Sequence, residues 1–448
     1  MKTILSVCGL AFGTIAFAAE PFDTHGPLRV AKSGTYLEHA DGTPFFFLAD
    51  TCWTGPALST EKDWQTYLVD RKKKGFTAIQ FNMVCPWRTA ATDAEGNVSY
   101  FIKDGKLSLN EPFYRRLDAR LEAINDAGLL AVPVLCWACV KGDPGIVLNE
   151  EQVIDLCRLE VERYKSANVL WILIGDNRYA AADAVKWKRV GRAVFGEKPG
   201  TLVTTHPSGE NWPWNSWDDE KWLTVLGYQS GHGDSVKSLQ WMTEGPVAAY
   251  GKRKSFSRPV INLEPPYENH YGYSMHKPHP ASDVRRAVYW SLLRCPEAGF
   301  TYGAHGVWSW NTKPGTEPTG HKGTGIANVW SDAINLPGAT QMGYVRKLME
   351  EVQWTTLRPL QTVVKQVSAE KDPGTFVAAA ASPDNGTYVF YFPAHAEAIV
   401  ALQVRGMKDA IRWFNPRTGV WGKPPGANPK HPLFGPPDEN DWVLVVKP

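Results

Sequence analysis

Two acidic residues stand at the ends of strongly apolar stretches. Asp176 follows the run 169–174 after a single glycine, and Glu264 closes the segment 259–263. Cleavage of a glycosidic bond needs one carboxyl group that protonates the leaving oxygen and another that attacks or stabilises the anomeric carbon. The pair therefore predicts glycosidase chemistry. The structural alternatives are a helix cap or turn residue for Asp176 and a salt-bridge partner for Glu264.

The other predicted strand ends are polar and aromatic, with almost no cationic residues. Sugar hydroxyls bind to amides, imidazoles and carboxylates, and the apolar faces of sugar rings pack on tryptophan and tyrosine. We therefore expect an oligosaccharide or polysaccharide substrate to be contacted by Asp50, Trp53, Gln80, Asn82, Trp137, His206, Gln229, His232, Tyr267, His305 and Trp308.

No metal or cofactor site is predicted. The three histidines of this set are possible ligands, but no His-x-His follows the first strand and no His-Glu-x-x-His occurs. Cys136 and Cys139 have the spacing of a redox or metal pair, yet no second Cys or His pair completes a zinc set. We interpret most of the cysteines as small buried apolar residues.

Elements that position the candidate residues alternate along the chain. Strand-like apolar runs are followed in most cases by stretches with helical periodicity, which predicts a (β/α)₈ barrel whose catalytic groups lie at the strand C-termini. The rival fold, a doubly wound sheet, usually has a Gly-rich phosphate loop after its first strand, and the segment 48–53 has none. The predicted strands are 45–49, 76–84, 129–135, 169–174, 202–205, 224–228, 259–263 and 299–303.

The predicted helices are less evenly distributed than the strands. Asn149 and Ser282 are expected to be N-caps, and the Trp-rich segment 210–222 after the fifth strand is expected to be a loop. Asp41-Gly42 is expected to turn a small hairpin before the barrel. The helices are predicted at 60–74, 112–127, 150–166, 184–195, 235–250, 282–294 and 339–353.

The pattern changes near residue 358. Short alternating strands then follow one another between Asn-Gly and Pro/Gly clusters, which is typical of a small antiparallel β-sandwich. The predicted domains are a barrel over 20–358 and an all-β sandwich over 359–448, with strands at 375–380, 387–392, 398–402, 410–415 and 442–446.

The N-terminus has the three-part form of a secretory signal peptide. Lys2 precedes the apolar stretch 4–18 and the small-residue site at Ala18-Ala19, so 1–19 are predicted to be removed and the protein to be secreted or periplasmic. No later stretch is long and apolar enough to predict insertion into a membrane. The net charge of +2 provides no basic surface field for nucleic acid. The sequence leaves the oligomeric state open.

Several segments together resemble the apiosidase-like glycoside hydrolases, family 140. The segments are 45–53, 70–76, 171–176, 259–268 and 302–308, and the tail segments 412–419 and 441–444 resemble the collagen-binding-like β-sandwich that follows such barrels. The resemblance spans about 27–448. It implies an aspartate closing strand four, Asp176, as acid/base and a glutamate closing strand seven, Glu264, as nucleophile in a retaining mechanism.

The resemblance also implies an exo-acting enzyme that releases a side-chain sugar, such as apiose or another pentofuranose, from a plant or algal polysaccharide. One departure concerns the residue before the acid. Many relatives in the wider clan have an asparagine there to hold the sugar 2-hydroxyl, whereas this chain has Gly175, so Asn82 or Asn177 would take over that contact. Gly175 would instead let the backbone lie close to a sugar.

Two other functions remain as alternatives. A non-catalytic carbohydrate- or matrix-binding protein on a barrel scaffold would bind a glycan or collagen without releasing sugar. A metallopeptidase, suggested by the same tail domain, lacks the ligand motifs that such an enzyme requires.

Overall fold

The computed structural model describes residues 21–196, 200–255, 257–295, 297–401, 411–422 and 433–447, so the predicted signal peptide lies outside the described residues. A parallel sheet of eight strands forms its centre. Each strand lies within or beside a predicted run, and the predicted (β/α)₈ barrel is confirmed. The strands are β1 (Phe47–Thr51), β2 (Ala78–Asn82), β3 (Leu130–Trp137), β4 (Leu170–Asn177), β5 (Leu202–Pro207), β6 (Leu226–Tyr228), β7 (Val260–Asn262) and β8 (Gly299–Tyr302).

The barrel closes at a seam between β5 and β6. The ladder order is β5-β4-β3-β2-β1-β8-β7-β6, so these two strands flank the break. Irregular bonds bridge it: Val225 N donates to the Val203 carbonyl (3.0 Å), and Gly227 N donates to Thr204 Oγ1 (2.9 Å). A threonine side chain thus replaces a ladder bond at this point.

Helices surround the strands in the predicted order. The Asn149 side chain caps α3 in a reciprocal capping box with Gln152, as predicted for this N-terminus. Ser282 is not a cap, because α7 begins at Ala281 after Pro280. The described helices of six or more residues are α1 (Glu61–Lys73), α2 (Glu111–Asp126), α3 (Glu150–Arg163), α4 (Ala181–Phe195), α5 (Val236–Glu244), α6 (Pro246–Gly251), α7 (Ala281–Arg294) and α8 (Pro337–Glu351).

The sixth helical segment differs from the prediction. One helix was expected over 235–250, but Gly245 is extended and Pro246, which has no N–H to continue the hydrogen-bond ladder, starts a second helix. After β5 the chain forms only the short 3₁₀ turn Trp214–Ser216, as expected for this loop.

Strand alternation divides the apolar residues into two layers. Phe47 and Ala49 of β1 pack inside the barrel with Leu263, whereas Phe46 and Leu48 face the helices. A small antiparallel sheet before β1 (Leu28–Val30, Leu37–His39, Pro44–Phe45) contributes Leu37 and Phe45 to the interior cluster. This sheet contains the predicted Asp41-Gly42 turn and covers the end of the barrel away from the strand C-termini.

The tail consists of two antiparallel sheets, one of six strands and one of three, which confirms the predicted all-β domain. Alternate residues such as Phe390 and Leu444 pack between the sheets. Parts of two predicted strands, Leu402 and Ala410, lie outside the described residues. The strands are Arg358–Pro359, Val364–Gln366, Ala378–Ala381, Tyr388–Phe392, Ala398–Val400, Ile411–Asn415, Val420–Gly422, Leu433–Phe434 and Trp442–Val446.

A buried ion pair joins the tail to α7. Arg285 donates from Nε and Nη2 to the two carboxylate oxygens of Asp441 at 2.7 and 2.6 Å. Beside it, the rings of Tyr289 and Tyr391 stack with centroids 4.6 Å apart. The outer face of the six-stranded sheet is therefore part of the protein interior.

Two further observations concern the cysteines and the hydropathy of the helices. The cysteines within the described ranges are free thiols, and all of them except Cys139 are buried. Among the described segments, no helix combines the length and hydropathy needed to span a bilayer.

Candidate active site

The C-terminal ends of four neighbouring strands bring the main candidate residues together. Asp176 comes from β4, His206 from β5, Gln229 follows β6 and Glu264 follows β7. Both carboxylates lie beside the His206 ring: Nδ1 is 3.7 Å from Asp176 Oδ1, and Nε2 is 3.4 Å from Glu264 Oε2. The two acids that stood out in the sequence thus face one another across a single imidazole.

Asp176 is the more accessible acid, with 23% of its side chain exposed. Its Oδ1 accepts a hydrogen bond from Gln229 Nε2 (2.6 Å), and its Oδ2 lies 3.5 Å from Arg88 Nη2. Its φ of 55° is left-handed, a conformation that costs energy in a residue with a Cβ and that clusters at functional sites.

Gly175 has a packing role that the sequence did not predict. A Cβ at this position would lie 2.5 Å from the Trp137 indole ring. The glycine therefore makes room for a tryptophan, rather than for a sugar as expected. Asn177 does not replace the missing asparagine, because its amide donates to the Ala138 carbonyl (3.1 Å) and its Oδ1 accepts from Tyr179 N (2.6 Å).

Glu264 is the more buried acid, with 10% of its side chain exposed. Its Oε1 is 2.9 Å from His232 Nε2. The Tyr267 backbone N–H donates to His232 Nδ1 (3.3 Å), so the neutral ring carries its proton on Nε2 and donates it to Glu264. Burial alone would raise the pKa of Glu264, but the hydrogen bonds and charges of His206 and His232 outweigh it and hold the pKa well below its usual range.

His206 is fully buried between Trp53 and Trp137, whose ring centroids lie 5.5 and 5.8 Å from its own. Burial favours the neutral ring, but hydrogen bonding and charge from Asp176 and Glu264 prevail and raise the pKa of His206 to about 9. A histidine with this pKa is positively charged at neutral pH.

Aromatic side chains line the rest of the mouth, which is the opening of the barrel at the C-terminal ends of the strands. Trp53 Nε1 donates to the Tyr267 hydroxyl (3.1 Å), and Trp137 stacks on Trp87 with ring centroids 5.2 Å apart. The ring centroids of Trp308 and Tyr267 lie 6.2 Å apart. Burial and the negative charge of Glu264 raise the pKa of Tyr267, so its hydroxyl keeps its proton. The walls are therefore apolar surfaces with a few fixed donors.

Four residues that were predicted to contact the substrate have their side chains hydrogen-bonded to other parts of the protein. Asp50 shares the outward face of β1, and its Oδ2 accepts from Tyr67 (2.6 Å) and Arg71 (2.7 Å) of α1. Gln80 is buried inside the barrel, Asn82 closes a turn onto the Val84 carbonyl (2.7 Å), and His305 Nε2 lies 2.8 Å from the Gly325 carbonyl.

Gln80 nevertheless supports the site. Its Nε2 donates to the Leu263 carbonyl (3.0 Å), and Thr301 Oγ1 donates to the same oxygen (2.7 Å). These bonds fix the peptide immediately before Glu264.

Arg88 is the residue that the sequence interpretation missed. It lies in the loop after β2, and the segment around Gly320, after β8, packs on its carbonyl so closely that a Cβ at Gly320 would lie 2.5 Å from that oxygen. It adds beside Asp176 a cation that the predicted strand-end residues do not supply. The only signal was its position a few residues beyond a predicted strand end.

The titratable groups of the described residues were compared with the arrangement that a metal ion needs. Within the described ranges, no group of three or more His, Cys, Asp or Glu side chains is arranged to hold a metal ion. The chemistry of the mouth is that of two carboxylates, two histidines, an amide and a guanidinium.

Comparison with known families identifies the chain. The family described as apiosidase-like, catalytic domain, matches residues 31–356, more than half of the sequence. The protein belongs to the apiosidase-like family. The tail, residues 359–447, matches a family described as "Putative collagen-binding domain of a collagenase". No curated protein sequence matches the chain.

Solved structures support the same fold for this apiosidase-like protein. A glycoside hydrolase is 23% identical with a TM-score of 0.77, the match covering 96% of this chain and 98% of that one. A family 5 glycoside hydrolase from Bacteroides vulgatus is also 23% identical, with a TM-score of 0.79 and coverage of 96% and 95%. A family 5 mannosidase from Rhizomucor miehei is 12% identical with a TM-score of 0.51, over 73% of this chain and 99% of that one. The family and the fold make this protein a glycoside hydrolase with a carbohydrate substrate.

Proposed function

We propose that the protein is a retaining, exo-acting glycosidase in which Asp176 is the acid/base and Glu264 the nucleophile. The observation that carries this proposal is the placement of the two carboxylates on either side of His206. The substrate is a side-chain glycoside of a plant or algal polysaccharide, with an apiosyl or other pentofuranosyl group as the released sugar. The predicted leader, 1–19, would direct the enzyme to the periplasm or the exterior.

The environments of the two acids support this division of roles. A nucleophile has to be ionised when substrate arrives, and the histidines beside Glu264 lower its pKa. An acid/base has to reach the leaving oxygen and later a water molecule, and Asp176 is the more exposed carboxyl group.

The shape of the mouth supports exo action. The loop after β8 covers one side, where the His321 ring lies 4.9 Å from Trp308 and 5.6 Å from Trp87. A mouth walled by this loop suits a terminal sugar better than the interior of a long chain.

A panel of pectic and hemicellulosic oligosaccharides and aryl glycosides tests the proposal. We expect release of one sugar from a chain end, with the anomeric configuration retained in the first product seen by NMR. Asp176→Asn is expected to slow natural glycosides far more than aryl glycosides, because an aryl leaving group hardly needs a proton. Glu264→Gln is expected to slow both classes.

Inversion of configuration would overturn the retaining assignment. Intact turnover in either variant would overturn the roles of these residues. Saturable binding of a glycan or collagen, with no sugar released from any extract, would favour the non-catalytic alternative.

A further inference from the structure

The buried position of His206 is not the one expected of a histidine that binds a sugar. Its side chain has no exposed surface, and Trp53 and Trp137 lie against its ring. It was expected to bind a sugar hydroxyl, but both of its nitrogens face protein carboxylates. Its role has to be explained by those two contacts.

The hydrogen-bond inventory determines which atoms carry protons. The Gln229 side-chain nitrogen has two hydrogens, and it lies 2.6 Å from Asp176 Oδ1 and 2.7 Å from the Pro207 carbonyl. Its third neighbour, His206 Nδ1, is farther away at 3.4 Å, so no hydrogen of Gln229 remains for it. Reversing the amide would place its oxygen against two other oxygens.

Both nitrogens of His206 are therefore free to carry a proton toward a carboxylate. Nε2 faces Glu264 Oε2 at 3.4 Å, and Nδ1 faces Asp176 Oδ1 at 3.7 Å. A neutral ring would turn a lone pair toward one of these anions. An imidazolium presents N–H to both.

We propose that His206 is a positioning residue: an imidazolium shared by the two carboxylates, which keeps Glu264 ionised and stores on Nδ1 the proton that Asp176 takes up when it acts as the acid. This inference rests on the proposed glycosidase function. The charged and titratable groups around the ring are Asp176 from β4, Glu264 and Tyr267 after β7, His232 after β6, and Arg88 on the far side of Asp176.

The proton balance closes over one catalytic cycle. Transfer from Nδ1 to Asp176 Oδ1 leaves a neutral ring that still donates from Nε2 to Glu264. Asp176 gives the proton to the leaving oxygen while Glu264 bonds to the anomeric carbon and loses its charge. In the second step water gives a proton to Asp176 as its oxygen displaces Glu264, and Asp176 returns that proton to Nδ1.

Imidazole NMR of the full-length protein without substrate tests this directly. With ¹⁵N-labelled histidine, the His206 signal is the one that disappears in a folded His206→Gln variant. We expect both ring nitrogens to be protonated at neutral pH. Removing one of the two anions, by Glu264→Gln or Asp176→Asn, should lower the titration midpoint by about one to three pH units.

His305 provides a matched control because it is buried without a carboxylate. Its ring lies between the Gly325 carbonyl and Trp308, and burial above all lowers its pKa to about 4, so it should be neutral in every variant. If His206→Gln does not fold, neutron diffraction from wild-type crystals in heavy water at neutral pH gives the same answer, with deuterium expected on both nitrogens of His206.

A neutral His206 ring at neutral pH, or a midpoint that moves in neither variant, would overturn the proposal. Because no substrate is needed, the result separates the two hypotheses. An inactive protein with a shared imidazolium would contradict only the proposed function. An active one with a neutral ring would contradict only the role of His206.

Discussion

Glu264 in the mouth and Glu160 in the helical layer are both buried glutamates, yet their pKa values move in opposite directions. Glu160, on α3, accepts a hydrogen bond from the Tyr114 hydroxyl (2.7 Å), and its Oε2 has no partner. Burial raises its pKa well above the usual value, and the tyrosine compensates only in part. Glu264 has two histidines instead, and its pKa is lowered.

The difference shows that burial alone does not determine the charge of a carboxyl group. At Glu160 the neutral donor stabilises the anion less than burial penalises it, whereas at Glu264 the two histidines together exceed the penalty. Glu297, whose Oε1 lies 2.5 Å from the Tyr228 hydroxyl, follows Glu160: its pKa is also raised well above the usual value. Glu264 is therefore the one of these three glutamates whose pKa the surroundings lower.

The largest expected effect separates the two glutamates by function. We expect Glu264→Gln to lower kcat by at least about 10³-fold, because an amide cannot attack the anomeric carbon. Glu160→Gln should leave kcat within about twofold, since it makes no contact with the mouth. Steady-state kinetics of the two variants, with circular dichroism to verify folding, checks this. Equal losses in both would show that Glu264 matters only for the fold.

Another buried carboxylate, Asp50, tests the importance of a cationic partner outside the mouth. Arg71→Met leaves Asp50 buried without its guanidinium, and we expect the free energy of unfolding to fall by about 3–5 kcal/mol. Arg189→Met, which removes an ion pair with the partly exposed Glu150, should cost far less, because solvent screens that pair. Urea unfolding measures both. A cost for Arg71→Met no greater than for Arg189→Met would contradict the comparison.

The pH dependence of stability should reveal the protonated state of Glu160. Its folded-state pKa is raised, so both states are protonated at low pH. As the pH rises past the unfolded value near ~4.3, only the unfolded state ionises and the native state loses relative stability. Glu160→Gln cannot ionise, so its stability relative to wild type should rise by about 1.4 kcal/mol per pH unit within that window. A difference that does not change with pH would show that Glu160 is ionised in the folded protein.

The smallest effect concerns His232. Because this histidine helps to lower the pKa of Glu264, His232→Gln should move the acid limb of the kcat/KM profile to higher pH by about one unit. The limb reports the free enzyme and is measured on any substrate that the wild type hydrolyses. An unchanged limb would mean that His206 alone sets the charge of Glu264.

The barrel was predictable because its strands are unbroken apolar runs buried on both faces. Such runs remain visible even where the helices between them are irregular, as after β5 and at Gly245-Pro246. Asp176 and Glu264 were found because each closes one of these runs.

Other residues were misinterpreted because strand ends do not reveal side-chain direction. Asp50 points away from the barrel interior, as Phe46 and Leu48 do. The two-residue alternation of side chains along a strand could therefore have predicted that Asp50 faces helix α1. Arg88 lies on an irregular loop and is placed by contact with the distant Gly320, which no local pattern encodes. The contacts of His206 and Gln229 with the two carboxylates could not be predicted either, because their partners come from other strands.

The seam between β5 and β6, which has irregular bonds in place of a ladder, runs beside the proposed catalytic residues. His206 stands on one side and Gln229 on the other, and the Gln229 amide joins Asp176 to the Pro207 carbonyl. Backbone amides along this line should exchange with solvent deuterium sooner than those of β3 and β4, where the ladder is continuous. Asp176 is thus held in part across this seam, so we expect small separations of the two strands to alter its alignment.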